Sequence, residues 1–457
     1  MCWAETELET IDIGDYRLNC RSIDIAESLG LSPGKSIPQT FQSKAEIKAT
    51  YNFFSNSLVT HEKILAPHKE KTVERIQEYP VVLTPSDTSK IDYTDKKAMR
   101  GKERLTNKRS GLWLHSTIAV TPERLNLGTL EANFWSRYPD LVDNQNVNRD
   151  EMPIEEKESF RWLQSYRTVC EVARQAPDTH LIHLTDREGD IIEIYAEYEE
   201  QKGQGKHADF ICRSQYNRNV EENEDGEKQG KLRKKLHNAP TLGTVEFMIH
   251  ATEQRPMRLV KQELKAVRLK LIPTRSYKPI VTINAVMAIE SNPPKNTTPL
   301  AWIFITSLPI KTFDDVSKVI EYYLCRWEIE TFFKVLKSGC KVEEKQLQSV
   351  DRMKPLIAFF LVLSWRVMFT MMLGRVSADL SCSDLFEASE WKSVYKVLYK
   401  GQRLPNKPPR LGEFVIMIAR LGGYIPSKNG PPPGVKVIWK GMSRMMDFAI
   451  AWEAFGE

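Results

Sequence analysis

The period of apolar positions changes along the chain. In residues 1–60 they recur every three to four positions. Arg17, Arg21, Ile25 and Leu29 follow Asp15, a capping residue, and Gly30 and Pro33 close the stretch, which predicts a helix. A second helix is expected over 43–54. Ile47, Tyr51 and Phe54 form its apolar stripe, and Lys44 and Lys48 lie four apart on one face. From about residue 80 the runs turn β-branched or alternating. Residues 81–84 lead into Asp87, 113–120 alternate, Thr121-Pro122-Glu123 turns, and 124–135 resumes as the return strand of a hairpin. A helix follows over 151–174, with Phe160, Leu163 and Val169 toward the core. Then come a strand over 180–185 ending at Asp186, a helix over 188–200 and a short strand over 209–213.

This order predicts a mixed α/β fold, with a mixed sheet carrying helices on its faces. Strand, strand, strand, helix, strand, helix, strand is the order of the ribonuclease-H-like fold, and both aspartates fall on strands that are central neighbours there. Residues 216–240 are charged and irregular, including the acidic run 221–228. Strands are expected at 244–250, 264–272, 280–289 and 301–306. Residues 216–308 thus read as a β-rich insertion, and helix dominates after 313. The expected domains are a helical one over 1–60, a ribonuclease-H-like one over 61–375 and a helical one over 376–457. Helical domains therefore flank the sheet on both sides.

Composition adds modest constraints. The chain has 457 residues, 27% charged and 41% hydrophobic, as in an ordinary globular protein of several domains. A net charge of +5 suits a nucleic-acid binder only if the basic residues are localised. The 7 cysteines are scattered and form no Cys-x-x-Cys pair, which fits reduced thiols and a cytoplasmic setting. The acidic, polar first thirty residues lack a signal-peptide pattern. Residues 356–373 are nearly long and apolar enough to span a bilayer. Arg366 past their middle favours a helix buried in the protein instead.

Three carboxylates carry the candidate chemistry. Two strand-borne aspartates, Asp87 and Asp186, and one helix-borne glutamate, Glu330, are what a fold needs to hold two Mg²⁺ ions for in-line phosphoryl chemistry. On a continuous helix, Tyr323, Glu330 and Lys337 fall within about 40° of one another. Arg326 and Lys334 flank Glu330 one turn away, giving counter-charge for a phosphate backbone. Blander readings stand beside this one. The helix could be a surface helix with ion pairs one turn apart, and Asp186 could be a helix N-cap. His180-x-x-His183-x-x-Asp186 resembles a zinc spacing, although on a strand the two histidines face opposite ways.

The motifs resemble those of the bacterial cut-and-paste transposases of the insertion-sequence-four family, especially its transposon-five branch. Tyr323, Arg326, Glu330 and Lys337 keep the family signature spacing. Asp87-Thr88-Ser89 and Thr185-Asp186-Arg187-Glu188-Gly189-Asp190-Ile191 match the two aspartate motifs. Further similarity lies at Gly34-Lys35-Ser36-Ile37, Asn292-Pro293-Pro294-Lys295, Thr298–Trp302 and Ala419–Tyr424. The resemblance implies an enzyme that nicks transposon ends, closes and reopens a hairpin, and joins the 3′-ends to target DNA. It implies two Mg²⁺ ions, with Mn²⁺ as a substitute, held by Asp87, Asp186 and Glu330. Trp302 would stack on a base flipped from the duplex, and Arg326, Lys337 and Tyr323 would sit at the adjacent phosphate. Arg21, Lys35, Lys44, Lys48, Arg187, Arg213 and Lys334 are further expected DNA contacts. The partners implied are double-stranded DNA and a second copy of the chain. Asn52 and Ser55 stand where the transposon-five branch has arginines, so the resemblance implies a different recognised end. A non-catalytic DNA-binding regulator forming inactive mixed dimers remains the alternative, and a metal nuclease without strand transfer a third reading.

Overall fold

The computed structural model describes residues 3–41, 43–135, 152–221, 229–249, 257–272, 279–295, 297–428 and 430–455. The chain divides into two compact units. One comprises residues 1–78, 88–145 and 327–457, the other 79–87 and 146–326.

The first unit begins with α1 (Trp3–Glu7), α2 (Tyr16–Leu31), α3 (Ile37–Thr40) and α4 (Lys44–Phe53). Asp15 caps α2 as its position predicts, accepting the Arg17 N–H at 2.8 Å. Ser43 and Glu46 form a capping box at the start of α4. The inward face of α4 differs from the expected stripe. Thr50, Phe53 and the following Phe54 are buried, whereas Tyr51 is exposed. Phe53 and Phe54 pack on Phe359, with ring centroids 6.3 and 6.2 Å away. Next comes α5 (His61–Gln77), a helix that the apolar pattern does not announce.

Strand β1 (Val81–Asp92) is longer than expected and runs through Asp87, which sits within the strand and not at its end. Its last part, 88–92, belongs to the first unit together with β2 (Glu103–Thr106), β3 (Arg109–Val120) and β4 (Asn126–Trp135). β3 neighbours β1 and pairs antiparallel with β2 and β4, with Trp113 opposite Trp135. The expected hairpin is present. Its turn places Arg124 in the left-handed region, at φ 71°.

The second unit starts with residues 79–87 and continues through α6 (Phe160–Gln175), β5 (His180–Thr185), α7 (Ile192–Gln201) and β6 (Asp209–Arg213). β1 pairs parallel with β5, and β5 with β6. Leu163 and Val169 of α6 are buried as expected, and Phe160 is half-buried. Three strands, a crossover helix and two parallel strands make the ribonuclease-H-like core.

The insertion does not stand apart from this sheet. It contributes β7 (Asn219–Glu221), β8 (Gln229–Lys231), α8 (Leu232–Asn238), β9 (Thr241–Ile249), β10 (Arg258–Leu271), β11 (Val281–Glu290) and β12 (Ala301–Thr306). β12 pairs with β6 and β11, β11 with β10, and β9 and β7 both with β10. α8 lies in the stretch expected to be irregular, because Leu232 and Leu236 recur four apart and both bury. The acidic run at 222–228, the expected helix start Glu151 and the expected strand end His250 lie outside the described residues.

α9 (Phe313–Leu324) ends the second unit, with Cys325 as C-cap. The first unit resumes with α10 (Trp327–Lys334), which passes into a π-helical turn at Val335–Gly339. The continuous helix expected through 323–337 is therefore broken at 325–326 and underwound past 334. α11 (Val350–Val376), α12 (Ala388–Leu398), α13 (Leu411–Leu421) and α14 (Val435–Phe455) complete the first unit. Among the described residues α11 alone is long and apolar enough to cross a membrane, and 94% of that stretch is buried inside the fold. Its Arg366 lies over the Trp3 ring and 3.8 Å from Glu390.

Candidate functional site

The second unit holds both strand aspartates. Pro85 pairs with Leu184 in the parallel register of β1 and β5. Asp87 lies two residues further on within β1, and Asp186 two residues further on, just past the end of β5. Arg326, 8% exposed, places Nη1 3.3 Å from Asp87 Oδ2, and its charge also acts on Asp186. Burial pushes the Asp186 carboxyl above the usual range. Glu188 adds to the shift, while the Glu188 backbone N–H and Arg326 oppose it. Asp186 Oδ1 accepts that N–H at 2.8 Å and caps the short turn Arg187–Gly189, so the N-cap reading holds as a local fact. The zinc reading fails. His180 turns to Asp209 at 2.6 Å, whereas His183 is fully buried beside Thr84.

Tyr323 does not share an open face with its neighbours. It is 6% exposed and packs on Phe304, with ring centroids 4.5 Å apart. Its hydroxyl has no hydrogen-bond partner among the described residues, and burial pushes that hydroxyl far up. Arg326 lies over the Tyr323 ring at 5.9 Å. Trp302 is half-buried on β12, with its ring stacked on Phe247 at 6.3 Å. Arg213 ends β6 opposite Phe304 and is half-exposed, and Arg187 is exposed.

In the first unit, Glu330 and Lys334 are exposed on α10. Glu328, about 200° round the helix from Glu330, is buried and meets Arg124 Nη1 at 3.4 Å. Lys337, in the π-helical turn, is half-buried, 4.0 Å from Glu343. Burial lowers its ammonium, and the charges of Glu343 and Asp92 resist that shift. Lys44 and Lys48 are exposed on α4, Arg21 pairs with Asp24 at 3.6 Å, and Lys35 with Asp447 at 3.8 Å. Trp327, directly after Arg326, was not singled out by spacing, yet it is 45% exposed.

Among the described residues, no three His, Cys, Asp or Glu side chains stand together as a ready-made metal cage. The donor set at Asp87 and Asp186 is nevertheless right for a hard cation. It consists of carboxylate oxygens on β1 and just past the end of the adjacent β5, compensated by a guanidinium and without histidine or thiolate.

Three family models match the chain in order. They are transposase DNA-binding over residues 1–59, transposase DDE domain over 193–363, and transposase Tn5 dimerisation domain over 362–453. The ribonuclease-H-like sheet with its strand carboxylates, flanked by DNA-binding and dimerisation segments, is that of a DDE transposase. The chain belongs to the Tn5-like DDE transposases, in keeping with the insertion-sequence-four family. It is an enzyme of DNA transposition whose partners are DNA and a second copy of itself. The DDE match covers Trp302, Tyr323, Arg326, Glu330 and Lys337 but begins after Asp87 and Asp186. Those two aspartates rest on the geometry above.

Proposed function

We propose that the chain cuts transposon ends through a hairpin intermediate and joins the freed 3′-ends to target DNA, using Mg²⁺ held by Asp87, Asp186 and Glu330. The observation that carries this reading is Arg326 beside Asp87 with Asp186 in the same field. Two strand carboxylates share one positive charge, one helical turn in sequence before Glu330. Mn²⁺ is expected to replace Mg²⁺. Bound there, a pair of such ions supplies Lewis-acid activation of an attacking water or 3′-hydroxyl and stabilisation of the leaving oxygen.

The chain's own residues do the rest. Arg326 and Lys337 grip the phosphate next to the flipped base, and Trp302 stacks on that base. The buried Tyr323 hydroxyl, partnerless among the described residues, is ready for a phosphate oxygen. Arg187, Arg213 and Lys334 line the DNA path. Residues 1–60, with Arg21, Lys35, Lys44 and Lys48, recognise the end, 61–375 carry the chemistry, and 376–457 hold the dimer. The protein works in the cytoplasm on the host's own DNA. Sequencing DNA captured on the protein in its native host tests this. Recovery of inverted ends flanking its own gene is the expected result, and capture of DNA without shared ends contradicts it.

A further inference from the structure

Asp190 is 1% exposed, and the chemistry above does not use it. Its carboxylate is saturated by two neighbouring segments. Tyr195 Oη donates to Oδ1 at 2.8 Å and Arg218 Nε donates to the same oxygen at 2.9 Å. Oδ2 accepts the backbone N–H groups of Gln215 at 2.7 Å and Tyr216 at 3.1 Å. Arg218 Nη2 reaches both the carboxylate and the Asp190 carbonyl, the latter at 2.6 Å. The guanidinium lies over the Tyr195 and Tyr216 rings, at 5.3 and 5.4 Å. A carboxylate and a guanidinium so fully engaged in a dry place hold their segments in one geometry.

Two loops meet at this cage. One begins at Asp186 and the other follows Arg213. The first is also tightly packed, since a Cβ on Gly189 would stand 2.5 Å from the Thr185 Cβ and 3.0 Å from the Trp162 ring. Glu188 is tied to Arg161 at 2.8 Å. The Asp186 carboxylate accepts from the Glu188 N–H and is not tied to the cage itself.

We infer that Asp190, clamped by Arg218, is a positioning residue that locks the loop carrying Asp186 to the loop following Arg213. The metal-binding carboxylate of Asp186 and Arg213 on the DNA path thereby keep a fixed spacing. This rests on the proposed role of Asp186.

The test uses the full chain, Asp190→Asn, Arg218→Lys and, beside them, Asp186→Asn. Asparagine keeps the volume of Asp190 but turns one acceptor oxygen into a donor, so one of the two segments is released. Three quantities are read. They are amide exchange of the 214–218 peptide, the Mn²⁺ concentration for half-maximal nicking of the captured end duplex, and the melting temperature. For Asp190→Asn, exchange of 214–218 is expected to accelerate and half-saturating Mn²⁺ to rise about tenfold, as for the loss of groups that orient metal ligands. The rate at saturating Mn²⁺ is expected to recover to within a few-fold, with melting close to wild type. Arg218→Lys, which keeps the charge and loses the fork, is expected to shift the same way by less. An unchanged Mn²⁺ requirement, unchanged exchange, or loss of the folded state in both variants overturns the inference. Wild-type nicking by Asp186→Asn would instead sink the assignment of Asp186.

Discussion

Arg326 and Asp87, 239 residues apart in sequence, meet at 3.3 Å between Nη1 and Oδ2. The guanidinium is 8% exposed, and its charge reaches Asp186 as well. A buried cation that acts on both carboxylates sets the local charge there.

Removing a carboxylate from such a site should separate binding from chemistry. Asp87→Ala, Asp186→Ala and Glu330→Ala are each expected to reduce nicking in Mg²⁺ to background while end binding stays nearly unchanged. The loss of one ligand removes both activation of the nucleophile and stabilisation of the leaving oxygen. Parallel nicking and gel-shift assays check this. A variant that nicks like wild type shows that its carboxylate is not a ligand.

A buried network in the first unit predicts acid sensitivity. His68 is fully buried, its Nδ1–H facing Glu7 and its Nε2 accepting the Thr129 N–H at 2.9 Å. Arg75 holds the same carboxylate at 2.9 and 3.0 Å. Burial drives His68 below its ordinary value, against the pull of Glu7. Burial alone would raise Glu7, but His68 and Arg75 bring it below the ordinary value. With both groups depressed in the folded state, the unfolded chain binds protons first. The His68 share of stability is therefore lost as pH falls below about 6.5. The Glu7 share is lost further down, as pH falls through its folded value. Melting temperature should decline between about pH 7.5 and 5.5. His183, held down to about 3, slopes the same way, so His68→Gln should flatten the curve only in part. A wild-type curve that is level across this window would refute the neutral, buried His68.

Local signals were legible where the physics is local. Asp15 and Ser43 cap helices because their side chains reach N–H groups two or three residues on. The first part of β11 follows from alternation that burial on the sheet enforces, and β12 from a short apolar run. The misses depend on distant chain. The apolar run 81–84 leads into Asp87, yet β1 continues to Asp92 because Ser86, Ser89 and Ile91 are buried in the fold. α5 was hidden by Pro67 and its charges, and it is held by a buried face of Ile64, Leu65, His68 and Ile76. The break at 325–326 leaves no mark in the 3.6-residue pattern. It coincides with the burial of Arg326 against Asp87. The π-helical turn after Lys334 ends at Gly339, where a Cβ would stand 3.2 Å from Trp439. At the site, residue types and spacing offered Asp87, Asp186 and Glu330 as candidates, whereas Asp190 and Glu328 drew attention only through their buried partners.

Exposed lysines on α4 should act through phosphates. Lys44 and Lys48 project from the same face and are exposed. Each Lys→Ala change is expected to lower the slope of log affinity against log salt by roughly one unit. Lys35 and Arg21 already sit beside Asp447 and Asp24. Their substitution should lower the slope by less, since those carboxylates partly neutralise them. Binding measured across a salt series checks the ranking, and equal slopes for all four variants and wild type would remove residues 1–60 from the phosphate contacts.

Trp302 offers the sharpest separation of steps. It is half-buried, shares a strand face with Phe304 and stacks on Phe247. A flipped base needs a flat apolar surface, and base–aromatic stacking contributes about 1–3 kcal/mol. Its loss should slow hairpin closure roughly 5- to 150-fold, as those energies convert at about 1.4 kcal/mol per tenfold. First-strand nicking needs no flipped base and should suffer far less. Trp302→Ala should therefore accumulate nicked DNA with little hairpin. An abasic site at the flipped position should partly rescue it, since unstacking then costs less. A fully buried tryptophan would instead cost about 3–5 kcal/mol of stability on truncation, and nicking would fall together with closure. The half-buried ring should cost less than that. A gel resolving nicked, hairpin and double-strand-break products, run beside a thermal melt, decides between them. Equal loss of both steps with a large drop in melting temperature would assign Trp302 to the core alone.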